Sequence, residues 1–502
     1  MIEPVSVLKA RTLASSSLLG VLTAIAISAC GSDSGISVVS SEPGASPFIS
    51  FLKLSGQDVA KLAGIEFTIA PKPGSVSKAV DVWYSMAALG DRGYVTSDSV
   101  KLPVFGLYAG YTNQVALRLQ FQDGSMQTLP IDIPTAAYVD PTGIYGNLTL
   151  LKKRAAGSAL GFDFFFMKSS VGSPVVVDTD AEIRWAVPGV ANATSSAFQD
   201  GEFIIGDPAR PAVYRLQLDG TLSESALQST TYTQFHHNID PGHRGLFAEV
   251  NATSDGVTNL GTIVAEITDR ATVLNQWDLA GLLSAYMLSQ GDDPSAFVRP
   301  GVDWFHNNAT AYDPNDDSII VSSRENFVVK IDYRSGNILW ILGDPTKYWY
   351  TFPSLRAKAL TLAAGGLYPI GQHAISITSD GLLMLFNDGK ASVNQPDGAP
   401  AGQSRGYSAV SAYSIDEASM TAREVWDFDY DQTLYSAFCG SAYESPGQSV
   451  LVDYAQTDNG AQTRLVGLNS NHEVVFDLEY PNIMCDASWN AQPIAFDDLT
   501  IN

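Results

Sequence analysis

Apolar and polar residues alternate with period two along much of the chain. Val115, Leu117, Leu119 and Phe121 are separated by Ala116, Arg118 and Gln120, the signature of a half-buried strand. Asp123-Gly124 follows as a tight hairpin turn, and Leu129, Ile131 and Ile133 resume the alternation. Ile65 to Ala70 and Val80 to Met86 predict further strands, so residues 46–135 read as a small N-terminal β-sandwich domain. Pro134 and Pro141 mark its far boundary. From about residue 145 a looser repeat begins, in which a turn residue and a polar step precede an apolar strand bearing an aromatic. Examples are Asp178 to Trp185, Asp269 to Trp277, Asp332 to Trp340, Asp416 to Trp426 and Asn469 to Phe476, with Tyr214 to Leu222 as a weaker sixth. Six units near the size of a four-stranded blade predict an all-β fold, with a six-bladed β-propeller over residues 136–502. Pattern alone leaves a large sandwich or a β-helix open.

The first residues read as an address. Lys9 and Arg11 precede an apolar stretch, Leu13 to Ala26, too short to span a membrane comfortably. The stretch runs into Ile27-Ser28-Ala29-Cys30, which resembles a bacterial lipobox. Residues 1–29 are thus expected to be a lipoprotein signal peptide, Cys30 the lipidated residue, and 30–45 a flexible Ser- and Gly-rich tether. An exported protein follows, periplasmic or at the cell surface, lipid-anchored to a bacterial membrane. In that oxidising setting Cys439 and Cys485 form a possible disulfide, with two buried thiols as the alternative.

Charge excludes one class of partner. The 502 residues carry 53 acids against 29 Lys plus Arg, a net charge of −24, which argues against nucleic acid. Only 16% of residues are charged, so this is no disordered acidic tail. The chain has just six histidines, which makes their placement informative.

Three of the histidine segments fall in strand-like contexts within the repeat: Phe235-His236-His237-Asn238, Phe305-His306-Asn307-Asn308 and Gln372-His373-Ala374. Equivalent blade positions would bring the imidazoles to the axis at similar heights. Residues two apart share a strand face, so His306 and Asn308 are expected to point into one cavity. The apolar strand after His306 ends in Arg324, whose burial calls for a carboxylate or an anionic ligand. HExxH, CxxC, GxSxG and phosphate-loop motifs are absent, so neither a metal nor another cofactor is called for. Transfer of an anionic group onto a neutral imidazole remains, with Arg324 neutralising charge.

The ordered set Asp303-Trp-Phe-His306-Asn-Asn308, Asp313 through Arg324, Ile338 through Asp344, Gly371-Gln-His373 and Phe386-Asn-Asp-Gly389 resembles the bacterial aryl-sulfate sulfotransferases. That resemblance implies a six-bladed propeller behind an N-terminal sandwich. The implied activity moves a sulfuryl group from a phenolic sulfate ester to a phenol by a ping-pong mechanism, without a nucleotide donor. Residue by residue it implies His373 as the nucleophile forming a sulfohistidine. It implies His306 and Arg324 as holders of the sulfuryl oxygens and Asn308 as a lining residue. The family's remaining catalytic histidine falls at the His236–His237 pair; the internal register favours His236, with His237 as a substrate-binding neighbour, and which ring faces the site is left open. The competing classes are a cell-surface binding propeller without chemistry and, more distantly, a quinoprotein dehydrogenase.

Overall fold

The computed structural model describes residues 35–254 and 256–502. The expected signal peptide over residues 1–29, and Cys30, lie outside the described residues. Among those described, strands dominate and helices are few, the longest being Leu279–Ser289.

The N-terminal domain is a sandwich of two sheets. One has three strands, Ile36–Pro43, Ile49–Gly56 and Ser99–Phe105. The other has five, among them Leu62–Ile69, Val80–Ser85, Thr112–Phe121 and Met126–Pro134. Thr112–Phe121 buries Val115, Leu117, Leu119 and Phe121 and turns the residues between them outward or toward partial exposure, as the alternation predicts. Gly124 holds φ +85° in the hairpin, a conformation that suits glycine. Two boundaries differ from the expectation. Ile36–Pro43, assigned to the tether on composition, pairs along Ile49–Gly56 and buries Ile36, so the domain starts earlier. Its alternation is weak because most of its side chains face solvent at a sheet edge. Far along the chain, Asp498–Ile501 leaves the second domain and pairs parallel to Val80–Ser85 in the five-stranded sheet.

Six further sheets, each of four or five strands, make up the rest of the described residues. The predicted aromatic marks fall one to a sheet, Trp185, Trp277, Trp340, Trp426 and Phe476 on later strands and Tyr214 in Ala212–Gln217. The innermost strands lie side by side in the order Ser196–Gln199, Tyr232–Pro241, Asn307–Asp313, Gln372–Ile377, Ser441–Ser445 and Ala491–Ile494. The last of these completes the sheet of Phe164–Met167, joining two remote parts of the chain. Thr149–Lys152 likewise pairs with Val474–Pro481.

A buried ion pair fixes one domain against the other. Arg184 Nη1 meets Asp178 Oδ2 at 3.0 Å, while Nε and Nη2 donate to the Gly106 carbonyl and the guanidinium lies over the Tyr108 ring. Gly106 has φ +83° and a Cβ there would meet Phe496, so the turn and the close approach both require glycine. One apolar core runs through the junction, from Phe67 and Phe105 to Phe164, Trp185 and Phe203.

Connections at one end of the innermost strands are tight turns, such as 314–317 and 378–382. At the other end the segments leading into them are long, 279–306, 343–371 and 429–440, and 388–408 joins Leu383–Asn387 to Ala409–Asp416 at that same end. The long loops surround the histidines, in keeping with a site carried on loops over a rigid scaffold.

Candidate active site

Four of the six histidines converge. Ring centroids lie 4.7 Å apart for His237 and His306, 5.1 Å for His236 and His306, and 6.0 Å for His237 and His373. The other two stand elsewhere: His472 stacks on Trp426 and His243 lies against Tyr312 and Tyr333.

Strict alternation would send His236 and His237 to opposite faces. Instead both rings enter the cluster, because the ladder slips between Phe235 and Ile239, which pair with Val250 and Ala248. Three residues thus face one, and the bulge re-aims its side chains. The same physics separates His306 from Asn308. His306 takes φ +53° just before its strand, and the register shifts again between Asn307 and Ala309. Asn308 consequently does not extend beside His306 on an unbroken strand. It donates from Nδ2 to the Gln372 carbonyl at 2.8 Å, bracing the residue before His373.

Hydrogen bonds fix the protons on three rings. Trp489 Nε1 donates to His237 Nδ1 at 3.1 Å, so the His237 proton sits on Nε2. That Nε2 stands 2.8 Å from His306 Nε2, which must accept. His306 Nδ1 then carries its proton toward the Asp303 carboxylate. Burial pushes the Asp303 carboxyl up, but the His306 and His236 imidazoles outweigh it and hold the group well below the usual carboxylate range. Burial, with the neighbouring imidazoles of His306, His236 and His373, drives His237 well below the ordinary imidazole value. Burial also lowers His306, against the opposing pull of Asp303. Both rings are neutral at pH 7.

His373 is oriented differently. Its Nδ1 donates to the Gly371 carbonyl at 3.0 Å and lies 3.1 Å from Asp388 Oδ1. With the proton on Nδ1, Nε2 keeps a free lone pair, the form a nucleophile needs. Asp388 also approaches Arg324, with Oδ2 3.4 Å from Nε. Burial raises the Asp388 carboxyl above its ordinary value, in spite of His373 and Arg324.

Arg324 is buried and well occupied. Nη1 donates to Glu325 Oε1 at 2.8 Å, Nη2 to the Ala437 carbonyl at 3.3 Å, and the guanidinium lies over Phe438. Glu325 Oε2 in turn accepts from the backbone N–H groups of Val393 and Asn394, tying the 388–408 loop down beside the histidines. Lys347, fully buried, donates to the carbonyls of Arg324 and Glu325, and burial brings it to about 8.

Cys439 and Cys485 are joined in a disulfide, with Phe438 and Trp489 packed around it. The cross-link therefore stands directly behind the ring under Arg324 and the indole that fixes His237.

Asp303, Asp388, Glu325, Phe438 and Trp489 were not singled out from sequence. Asp303 and Asp388 sit inside the quoted motifs, so their signal was present. Trp489 carries none, because its partner lies 252 residues away. The ligand atoms of His236, Asp303 and His306 also lie within 4.8 Å of one another, close enough for a metal ion. Asp303 already accepts the His306 proton, and a cation would have to displace it.

Several polar atoms in this wall are buried without a protein partner, among them Asp303 Oδ1, Asn308 Oδ1, Gln372 Oε1 and Arg324 Nε. Of these only Arg324 Nε can donate to an anion, and it is this buried guanidinium beside neutral imidazoles that suits an anionic ligand.

Comparison with known proteins agrees with this chemistry. Residues 145–490 match the family model described as arylsulfotransferase (ASST). The chain belongs to the arylsulfotransferase family. Residues 57–136 of this arylsulfotransferase-family chain also match the arylsulfotransferase Ig-like domain. Arylsulfate sulfotransferase AssT of Escherichia coli O6:H1 is 35% identical over 169 residues, covering 31% of this chain and 26% of that protein. Arylsulfate sulfotransferase AssT of Lelliottia amnigena is 23% identical over a longer match, 75% of this chain and 77% of that protein. Among solved structures, the Cps50 (Swd1) β-propeller domain from Myceliophteria thermophila aligns at TM-score 0.34 and 13% identity, covering 66% of this chain and 88% of that one.

Proposed function

We propose that this arylsulfotransferase-family chain moves a sulfuryl group between phenols by a ping-pong reaction through His373, on a six-bladed propeller scaffold. The observation that carries the reading is the orientation of His373: Nδ1 is engaged by the Gly371 carbonyl beside Asp388, which leaves Nε2 as the nitrogen available to attack. The six sheets, and the pairing of Ala491–Ile494 with Phe164–Met167, support a ring of six blades with the histidines at its axis.

In the first half-reaction His373 Nε2 attacks sulfur of the aryl sulfate. The N–S bond forms, the S–O(aryl) bond breaks, and a phenolate departs. The imidazole becomes formally cationic, and Asp388 next to Nδ1 offsets that charge. The phenolate takes its proton from solvent, and the neutral His237–His306 pair, held by Asp303 and Trp489, keeps its own. In the second half-reaction an acceptor phenol loses its proton to solvent, its oxygen attacks sulfur, and the N–S bond breaks to release His373 Nε2. Sulfuryl transfer resembles phosphoryl transfer, so positioning and charge stabilisation carry most of the catalysis. His306, Asn308 and the Arg324 region form the wall facing the sulfuryl oxygens. Export with a lipid anchor on Cys30 is part of the same proposal, supported by the lipobox-like segment.

The test supplies a chromogenic aryl sulfate with and without phenol. Transfer to phenol, plus an acid-labile sulfuryl adduct on His373 when phenol is withheld, is the expected result. Wild-type transfer by His373→Asn would refute the mechanism.

A further inference from the structure

Arg324, the cation the sequence selects for the sulfuryl group, is heavily committed. Glu325 and the Ala437 carbonyl hold its two terminal nitrogens, and Asp388 stands beside Nε. Two carboxylates next to one guanidinium leave little net positive charge for an anionic sulfuryl-transfer transition state. In a chain of net charge −24, another cation is needed at the same place.

One is present. Lys390 lies two residues beyond Asp388, half-buried, with Nζ 3.9 Å from the centroid of the Phe438 ring that also carries Arg324. Among the described residues no carboxylate oxygen comes within 4.0 Å of that Nζ, in contrast to Arg324. The ammonium is attracted to the ring face but has no anionic partner. Burial, then repulsion from Arg324, lowers its proton affinity, and an incoming anion would offset the repulsion. Its backbone is placed by the strained turn that positions the nucleophile. Gly371 has φ +62°, and a Cβ there would meet the Lys390 carbonyl at 2.9 Å and Asp388 at 3.1 Å.

We infer that Lys390 is a substrate-binding residue, the cation that receives the sulfate ester of the aryl donor as it enters beside His373. The inference rests on the proposed sulfotransferase reading and adds the residue that selects an anionic donor over a neutral ester. The sulfate oxygens take the Lys390 N–H groups in place of water, and the Phe438 ring supplies an apolar surface alongside. A charge-assisted hydrogen bond of this kind is worth roughly ten- to hundredfold in affinity.

The experiment compares wild type, Lys390→Gln and Lys390→Arg in two assays: steady-state transfer from a chromogenic aryl sulfate to phenol, and calorimetric titration with inorganic sulfate. Lys390→Gln is expected to raise the donor KM about tenfold or more with a much smaller change in kcat. Its sulfate affinity should fall by a similar factor, and Lys390→Arg should recover most of both. Equal donor KM and equal sulfate affinity in wild type and Lys390→Gln would overturn the inference while leaving the transfer reaction standing. If wild type transfers nothing, the reaction itself falls. The sulfate titration then decides Lys390 alone: binding lost in the Gln variant supports an anion site, and unchanged binding removes it.

Discussion

His237 and His306 face each other through their Nε2 atoms, 2.8 Å apart, and the contact has a direction. Trp489 donates at one end and the Asp303 carboxylate accepts at the other, so each imidazole has its proton on the side facing Asp303. Protonating His237 would put a hydrogen on Nδ1, where the indole N–H already points. Trp489→Phe removes that block. The acid limb of the kcat/KM profile is then expected to move upward by roughly half a pH unit or more. A pH–rate series on the two proteins measures it. An unmoved limb would show that the tautomer is set some other way.

Asp388→Asn should lower kcat strongly, on the order of a hundredfold, with a small effect on donor KM. The amide cannot offset the charge that develops on a sulfonated His373 and can favour the wrong tautomer. Asp388→Glu should restore part of the rate. Single-turnover formation of the sulfuryl adduct reports the step directly, and a variant that forms it at the wild-type rate would remove Asp388 from the mechanism.

Stability should depend on pH through His237. Its folded proton affinity is lowered by burial and by the surrounding imidazoles, so as pH falls below about 6.5 the unfolded chain binds a proton that the folded one refuses. Stability is therefore full above that range and declines below it, by up to about 1.4 kcal/mol per pH unit for this one group. His237→Gln should flatten the decline between pH 6.5 and 5, read as melting temperature against pH. Asp303 acts in the same direction at lower pH. Its depressed value contributes stability above the ordinary carboxylate range that disappears only as the folded group finally protonates.

Loss of the Cys439–Cys485 cross-link should cost about 4 kcal/mol, from a sequence separation of 46 residues. Activity should fall further than stability alone explains, because Phe438 and Trp489 are packed around the sulfurs. Cys439→Ser with Cys485→Ser, assayed well below its melting temperature, separates the two effects.

Arg184→Met should destabilise by roughly 3–5 kcal/mol, since Asp178 would remain buried without its counter-ion. Burial already pushes Asp178 up to about 6. Chemical denaturation of the whole chain, followed by tryptophan fluorescence, gives the value. Arg184→Met with Asp178→Leu should recover much of it.

The sandwich strands and the repeating sheets were legible because period-two alternation and aromatic marks are local signals. His306, Arg324 and His373 were legible as a set because they lie in ordered motifs on successive sheets. The His236–His237 choice was not: a bulge brings in both rings, and nothing in the two residues announces one. Trp489 escaped for a different reason. Its role exists only once Ala491–Ile494 has paired with Phe164–Met167, a contact between remote parts of the chain. Ile36–Pro43 reads as tether in the sequence because an edge strand with one well-buried side chain has the composition of a linker.

That remote pairing also sets the order in which the protein can be made. The sheet begun by Phe164–Met167 has no inner edge partner until Ala491–Ile494 has been synthesised, and the sandwich sheet waits similarly for Asp498–Ile501. A nascent chain stays incomplete in both domains through most of translation. Contacts of such long range form slowly. Under the proposed export this delay is an asset: a chain still lacking its final strands stays threadable until they and both Cys439 and Cys485 have emerged on the far side.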